Sequence, residues 1–350
     1  MEFSEIILGW YDTHKRDLPW RQTREPYRVW LSEIILQQTR VAQGLPYYLR
    51  FVERYPSVCE LAAAPEEEVL KLWQGLGYYS RARNLHGTAR AICHEYGGRF
   101  PDTYQGLRSL KGVGPYTAAA IGSICYGLPT PVVDGNVYRL LARYFGVELP
   151  VDSTEGRRYF DQLAHEVMDA RRIGEYNQAV MEFGAVQCVP QSPDCGRCPL
   201  AESCWARAAG KVSDLPAKGA RPNVRKRYFH YIMPVDKALN TFLLQRDSPG
   251  IWRGLYEFPL LESEADPKTD DLARQLERSL GTSGIAPERV VCFNPDPLVH
   301  KLSHQHLYTT FWIAYLEQLP EGALPLERAE ELPVPVLIAN FMETVKNSYF

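Results

Sequence analysis

The stretch Leu107-Arg-Ser-Leu-Lys-Gly112-Val113-Gly114-Pro115-Tyr116-Thr-Ala118 decides the reading of the fold. It reads as a helix, a tight turn and a second helix. Gly112 and Gly114 permit the turn and a close backbone approach. Pro115 suits the first turn of the helix that follows. Exposed amides at such a helix start, over Gly112, Val113 and Gly114, can hold a phosphate without reading base sequence. An ordinary helix–helix turn looks the same, so the motif gains weight from its surroundings.

Twenty residues after Gly114 comes Pro131-Val-Val-Asp134-Gly-Asn136-Val-Tyr-Arg-Leu-Leu. An apolar run precedes Asp134 and an amphipathic pattern follows it, which makes Asp134 a helix N-cap. There the helix dipole favours carboxylate over acid. Upstream, Glu33 lies in Tyr27-Arg-Val-Trp-Leu-Ser-Glu33-Ile-Ile-Leu-Gln-Gln38-Thr39-Arg40. Helical spacing sets Val29, Trp30, Leu36 and Gln37 around it. Partial desolvation there raises a carboxyl pKa, which suits a general acid. An acid paired with an ionised carboxylate serves reactions through an oxocarbenium-like sugar cation.

Downstream, Cys188, Cys195, Cys198 and Cys204 are spaced Cys-x6-Cys-x2-Cys-x5-Cys. Four thiolates in one compact loop point to a metal or cluster. A [4Fe–4S] cluster and zinc both use such ligands, and spacing alone leaves the two open. Arg197, between two of the cysteines, is placed to face a phosphate. Cys59, Cys93, Cys125 and Cys292 are scattered and read as core thiols.

Length and composition agree with this. A chain of 350 residues, 45% apolar and 23% charged, supports two or three globular domains and excludes a disordered or fibrous chain. Residues 1–227 carry 29 Lys and Arg against 25 Asp and Glu, and the rest carry 10 against 17, so the net charges are +4 and −7. A mildly basic front half is compatible with nucleic acid. The uncharged residues 112–133 contain Pro115, Pro129 and Pro131 and four glycines, so they read as hairpin and buried helix, not as a membrane span. Glu2, Glu5 and Asp12 around Ile6-Ile7-Leu8 exclude a secretory signal. The chain is expected in the cytoplasm.

Residues 1–207 read as all-α. Residues 208–227, rich in Ala, Gly, Pro and basic residues, read as a linker. Residues 228–345 read as α+β, with strands over 228–235, 240–245, 289–293 and 307–316 and a helix over 268–280.

Together these segments resemble the adenine DNA glycosylases of the MutY type, in the helix-hairpin-helix glycosylase superfamily. The resemblance runs through Leu36-Gln-Gln38-Thr39-Arg40, Gly75-Leu76-Gly-Tyr78-Tyr-Ser-Arg-Ala-Arg-Asn84, the 107–118 hairpin, Val133-Asp-Gly-Asn-Val137 and the 188–204 cysteine loop. It implies a helical region with six-helix and iron–sulfur subdomains, a [4Fe–4S] cluster and a Nudix-like (MutT-like) C-terminal domain. The activity it implies is hydrolysis of the N-glycosidic bond of adenine opposite 8-oxoguanine or guanine in duplex DNA. The base leaves the stack before an acid can reach it.

By the same resemblance, Glu33 is the acid that protonates adenine N7 and later handles the water, and Asp134 stabilises or traps the C1′ cation. Asn136 orients that site and Tyr116 hydrogen-bonds to the aspartate. Trp20, Arg21 and Gln178 line the adenine pocket. Gln38 and Tyr78 fill space around the flipped base and 8-oxoguanine, Thr39 and Leu76 are further substrate-binding residues, and Ser303 and His304 sense 8-oxoguanine. The family usually has an aromatic residue where Leu302 stands.

Bifunctional relatives carry a catalytic lysine where this chain has Tyr116, so a monofunctional enzyme leaving an abasic site is expected. The C-terminal domain lacks the Gly-x5-Glu-x7-Arg-Glu-x2-Glu-Glu box of a Nudix hydrolase and reads as a recognition module. His300, His304 and His306 read as strand and loop residues, not as a metal site. The expected partner is mispaired duplex DNA, bound by a monomer with no membrane attachment. Two other functions fit less well. Tyr116 and the C-terminal domain argue against an endonuclease III-like glycosylase/lyase. Glu33 and Asp134 argue against a noncatalytic DNA-binding iron–sulfur protein.

Overall fold

The computed structural model describes residues 2–219, 224–264, 266–281 and 286–349. The chain divides into two compact units. One contains Met1–Ala63 and Asn84–Ala220, the other Ala64–Arg83 and Arg221–Phe350. The sequence assigned residues 64–83 to the helical region; they group instead with the C-terminal unit. Their contacts explain why: the Lys71 ammonium donates to the backbone carbonyl of Leu332 at 3.1 Å, and the Tyr256 hydroxyl donates to Glu67.

The first unit is helical. The hairpin is formed by helices Tyr104–Ser109 and Pro115–Tyr126. Gly112 takes the left-handed φ of 78°, and a Cβ there would lie 2.9 Å from Asn84 Cβ. Gly114 differs from the expectation. Its backbone is extended and a Cβ would meet nothing within 4 Å, so its bare α-carbon leaves the helix start open. Ala118, Ala119, Ala120 and Ile121 are all buried, which is why this helix is apolar on every face. It packs against Pro26–Leu36 on one side and Ile173–Val186 on the other. The latter helix also meets Phe3–His14 and Gly135–Phe145. A Cβ at Gly184 would lie 2.7 Å from Asn136 Cβ, so glycine lets these two helices close on each other. Cys59 and Cys93, read as core thiols, are joined in a disulfide with a Cα–Cα distance of 5.4 Å.

Residues 220–223 of the expected linker lie outside the described residues. Before them, the Gly219 amide is held by the Asp152 carboxylate at 2.9 and 3.1 Å, and after them the first strand already begins at Arg225.

The second unit is built on a seven-stranded sheet whose centre is the parallel pair Arg225–Val235 and Gln305–Tyr315. The helix expected over 268–280 spans Thr269–Leu280. It packs Leu272, Leu276 and Leu280 onto Ile232, Ala314 and Leu316. The expected 240–245 strand is two short strands, Asn240–Thr241 and Leu244–Gln245, in different sheets. Strands Leu260–Ser263 and Leu298–Lys301 and the helix Val336–Tyr349 were not foreseen. That helix is fixed by Phe341 stacking on Phe311 at 4.0 Å. Among the described residues no helix is long and apolar enough to cross a membrane.

Candidate active site

Glu33 is carried by helix Pro26–Leu36, which starts at a first-turn proline with the Glu25 carboxylate accepting from the Tyr27 and Arg28 amides. These features place it firmly. Asp134 caps helix Gly135–Phe145 as expected. Its Oδ1 accepts from the Asn136 and Val137 amides at 2.9 and 2.8 Å, and its Oδ2 from Asn136 Nδ2 at 2.9 Å. Both carboxyls line one cavity of about 160 Å³, together with Trp20, Arg21, Thr39, Tyr116, Asn136 and Gln178.

The environments of the two carboxyls differ. Burial raises Glu33 to about 7, helped by the charge of Asp134 and opposed by a hydrogen bond from Tyr116 and by Arg21. A carboxyl so placed can hold a proton near neutral pH. Burial also raises Asp134, but the Val137 and Asn136 donors and the Arg139 charge oppose that rise.

Tyr116 corrects the sequence reading. Its hydroxyl donates to Glu33 Oε2 at 2.6 Å, not to the aspartate, and it also lies 3.1 Å from Met181 Sδ. The reason is the register of Pro115–Tyr126, which packs directly on the Glu33 helix.

Several cavity residues were missed by the sequence reading. The Glu182 carboxylate accepts from Arg16 Nε and Nη2 at 2.7 and 2.6 Å and from Arg21 Nη2 at 2.7 Å. Burial alone would raise it, but these bonds override burial and hold it at about 2. It is therefore a fixed negative charge. Glu182 follows Gln178 by one helical turn, a spacing that puts both on the same face. Behind Gln178, the Tyr11 hydroxyl donates to Oε1 at 3.1 Å.

A chain of hydrogen bonds leads from this cavity toward the cysteine loop. Arg139 donates to Asn136 Oδ1 at 2.9 Å, to Gly184 O at 2.6 Å and to Cys188 O at 2.8 Å. Arg143 donates to Cys188 Sγ at 3.4 Å and to the Val189 and Pro190 carbonyls. Cys188, Cys195, Cys198 and Cys204 line a common cavity of about 30 Å³. Burial and the neighbouring thiols push the Cys198 thiol up to about 11, so this thiol gives up its proton only to a bound cation. Four thiols around a shared cavity are a donor set that an iron–sulfur cluster uses.

The remaining expected residues are placed as follows. Gln38 and Tyr78 are exposed non-glycine residues with left-handed backbones, at φ 54° and 49°. Such positions are strained and collect at functional sites. Leu76 is buried in the C-terminal unit. Within that unit, the Tyr78 hydroxyl hydrogen-bonds to Ser303. Ser303 and His304 form the exposed tip of the hairpin joining Leu298–Lys301 to Gln305–Tyr315, closed by Leu302 N donating to Gln305 O at 2.8 Å. Arg197 is exposed and paired with Asp194 at 2.6 Å.

Comparison with known proteins gives these features a family. Residues 31–161 match the HhH-GPD superfamily of base excision DNA repair proteins. Residues 188–204 match the iron–sulfur binding domain of endonuclease III, and residues 230–344 the NUDIX domain. A thermostable thymine-DNA glycosylase superposes with a TM-score of 0.55 at 30% identity, covering 59% of this chain and 95% of that one. An endonuclease III solved with DNA, at 22% identity and a TM-score of 0.52, shares the fold. The helical unit thus has the fold of the HhH-GPD base excision DNA repair proteins.

The human adenine DNA glycosylase is 35% identical over 381 residues, spanning 92% of this chain and 69% of that protein. That of Buchnera aphidicola is 31% identical over 317 residues, spanning 89% and 86%. The mouse adenine DNA glycosylase is 39% identical over 310 residues, 84% of this chain and 58% of the mouse protein's length. The chain belongs to the adenine DNA glycosylase family.

Proposed function

We propose that this chain is a monofunctional adenine DNA glycosylase acting on adenine opposite 8-oxoguanine or guanine. The observation that carries the reading is the pair Glu33 and Asp134 on one cavity, with the Glu33 carboxyl held at about 7. Adenine swings out of the duplex into that cavity, against Trp20, Arg21 and Gln178. Glu33 passes its proton to N7, the C1′–N9 bond breaks, and both bonding electrons leave with the base. Asp134, oriented by Asn136, stabilises the cation left at C1′. The Glu33 carboxylate then takes a proton from the water that adds there, which restores the acid. Tyr116 has no amine, so no Schiff base forms and the strand is left intact at an abasic site.

Gln38 and Tyr78 fill space around the flipped base and 8-oxoguanine, Thr39 and Leu76 are further substrate-binding residues, and the loop with Ser303 and His304 senses 8-oxoguanine. The helix start at Gly112, Val113 and Gly114, together with Arg197, holds the backbone. The four cysteines hold a [4Fe–4S] cluster, which when bound braces the loop bearing Arg197. The C-terminal domain recognises and does not hydrolyse. The protein acts as a monomer on the chromosome in the cytoplasm.

The test is single-turnover cleavage of labelled duplexes with adenine opposite 8-oxoguanine, guanine, cytosine or thymine. Strand breaks that need alkali, fastest opposite 8-oxoguanine, are expected. Efficient borohydride trapping of an enzyme–DNA adduct contradicts the monofunctional assignment. Hydrolysis of 8-oxo-dGTP with magnesium contradicts the C-terminal one.

A further inference from the structure

Tyr116 Oη lies 2.6 Å from Glu33 Oε2 and 3.1 Å from Met181 Sδ, yet a phenol carries a single hydrogen. It cannot donate to both acceptors at once. The two contacts make sense as two states of one relay. With Glu33 ionised, Tyr116 donates to the carboxylate. With Glu33 protonated, the carboxyl O–H donates to Tyr116 Oη, and the phenolic hydrogen turns to the thioether.

We propose that Met181 is a positioning residue for the acid step: its sulfur accepts the Tyr116 hydrogen and so keeps the protonated form of Glu33 fully hydrogen-bonded. No bond to carbon changes and no charge is created at sulfur. The inference rests on the proposed role of Glu33 as the acid.

The surroundings support it. Met181 is half-buried on helix Ile173–Val186, and it lines the same cavity as Gln178, Glu182 and Ala185 from that helix. The ionisable groups facing Glu33 are Tyr116 and, further along the same helix Pro115–Tyr126, Cys125, with Asp134 at the start of Gly135–Phe145 and Arg21 on the turn Pro19–Arg21. Glu182, on the helix of Met181, is tied to Arg16 and Arg21. The Tyr116 donation and Arg21 favour the ionised carboxyl, and Asp134 favours the acid through charge. Met181 is a neutral acceptor that favours the acid by drawing the phenolic hydrogen away. A thioether is a weak acceptor, so its effect is small and directional.

The test is Met181→Leu, close in volume and lacking the sulfur. Single-turnover excision of adenine opposite 8-oxoguanine is followed from pH 5 to 9. The active Glu33 is protonated, so the rate falls as pH rises through its pKa. The variant's falling limb is expected to move down by about half a pH unit, which makes it about threefold slower at pH 8 and unchanged at pH 5.5. In a Tyr116→Phe background the same substitution moves nothing. An infrared titration of the Glu33 carboxyl band in DNA-free protein, assigned by its loss in Glu33→Gln, reads the same displacement without any substrate. That readout stands even if adenine is not excised, so failure of the functional proposal and failure of the relay are separable. A pH-independent rate loss, an unmoved carboxyl titration, or a shift that persists without the Tyr116 hydroxyl overturns the relay.

Discussion

Glu33 in the helical unit and Glu257 in the Nudix-like unit are both buried, and each accepts a hydrogen bond from a tyrosine, the half-buried Tyr116 at 2.6 Å and the buried Tyr231 at 2.9 Å. They differ in the cation. Arg246 Nη1 grips Glu257 at 2.7 and 2.9 Å, while the Arg21 guanidinium near Glu33 is bonded to Glu182 instead. Burial raises Glu257 as well, against the pull of Arg246, but a buried carboxyl gripped by its own cation is a brace. One left without a bonded cation, beside a second carboxyl and a cavity, keeps a proton that it can give away. The units also differ in where their candidate contacts lie: the Glu33 and Asp134 carboxyls line a cavity, whereas Ser303 and His304 stand exposed on a hairpin tip.

The comparison breaks most sharply at the carboxyls. Asp134→Asn is expected to lose about 10³-fold or more in single-turnover excision while binding mispaired DNA as before. Glu33→Gln is expected to lose a similar factor, and its stability carries a pH signature. The folded-state pKa is raised from 4.5 to about 7. The stabilisation from that raised pKa is therefore fully present below about 4.5 and lost as pH rises through 7. Glu33→Gln removes this dependence, so its stability relative to wild type rises by on the order of 2–3 kcal/mol between pH 4.5 and 8, read by denaturant titration.

Glu257→Gln tests the other half. It leaves Arg246 buried without its counter-charge and is expected to cost about 3 kcal/mol in stability. The pH–rate profile of the folded protein stays where it was. A shifted profile would mean that the two units are not divided as described.

Arg139→Ala removes the link from Asn136 to the Cys188 carbonyl. About a tenfold loss in excision is expected, from a loosened Asn136–Asp134 pair, in protein that keeps its cluster absorbance. The smallest effect is on the exposed side. Ser303→Ala is expected to reduce the preference for 8-oxoguanine over guanine about threefold to fivefold, the worth of one hydrogen bond, with the adenine excision rate opposite guanine unchanged.

What the sequence revealed follows from how local each signal is. The Gly112–Pro115 turn, the Asp134 cap, the cysteine loop and the helix Thr269–Leu280 are written in residues a few positions apart, and each was legible. The raised Glu33 pKa was legible too, because Trp30 and Leu36 are its helical neighbours. The partner of Tyr116 was not, since Glu33 lies 83 residues away and the choice depends on how two helices pack. The Glu182 site joins Arg16 and Arg21 across 166 and 161 residues. The Cys59–Cys93 bond and the grouping of Ala64–Arg83 with the C-terminal unit are likewise set by packing, not by any local pattern. Strand Leu260–Ser263 escaped notice because its edge is defined by pairing with Tyr228–Tyr231, not by its own alternation.

The central claim is that Glu33 and Asp134 together release adenine. Its most direct test is to count the free base liberated from an adenine–8-oxoguanine duplex against the abasic sites formed, for wild type and for Asp134→Asn with intact cluster absorbance. Adenine equimolar with abasic sites from wild type, and none from the variant over many wild-type half-lives, is the predicted result. Adenine released by Asp134→Asn at the wild-type rate, or abasic sites formed with release of another base, would contradict it.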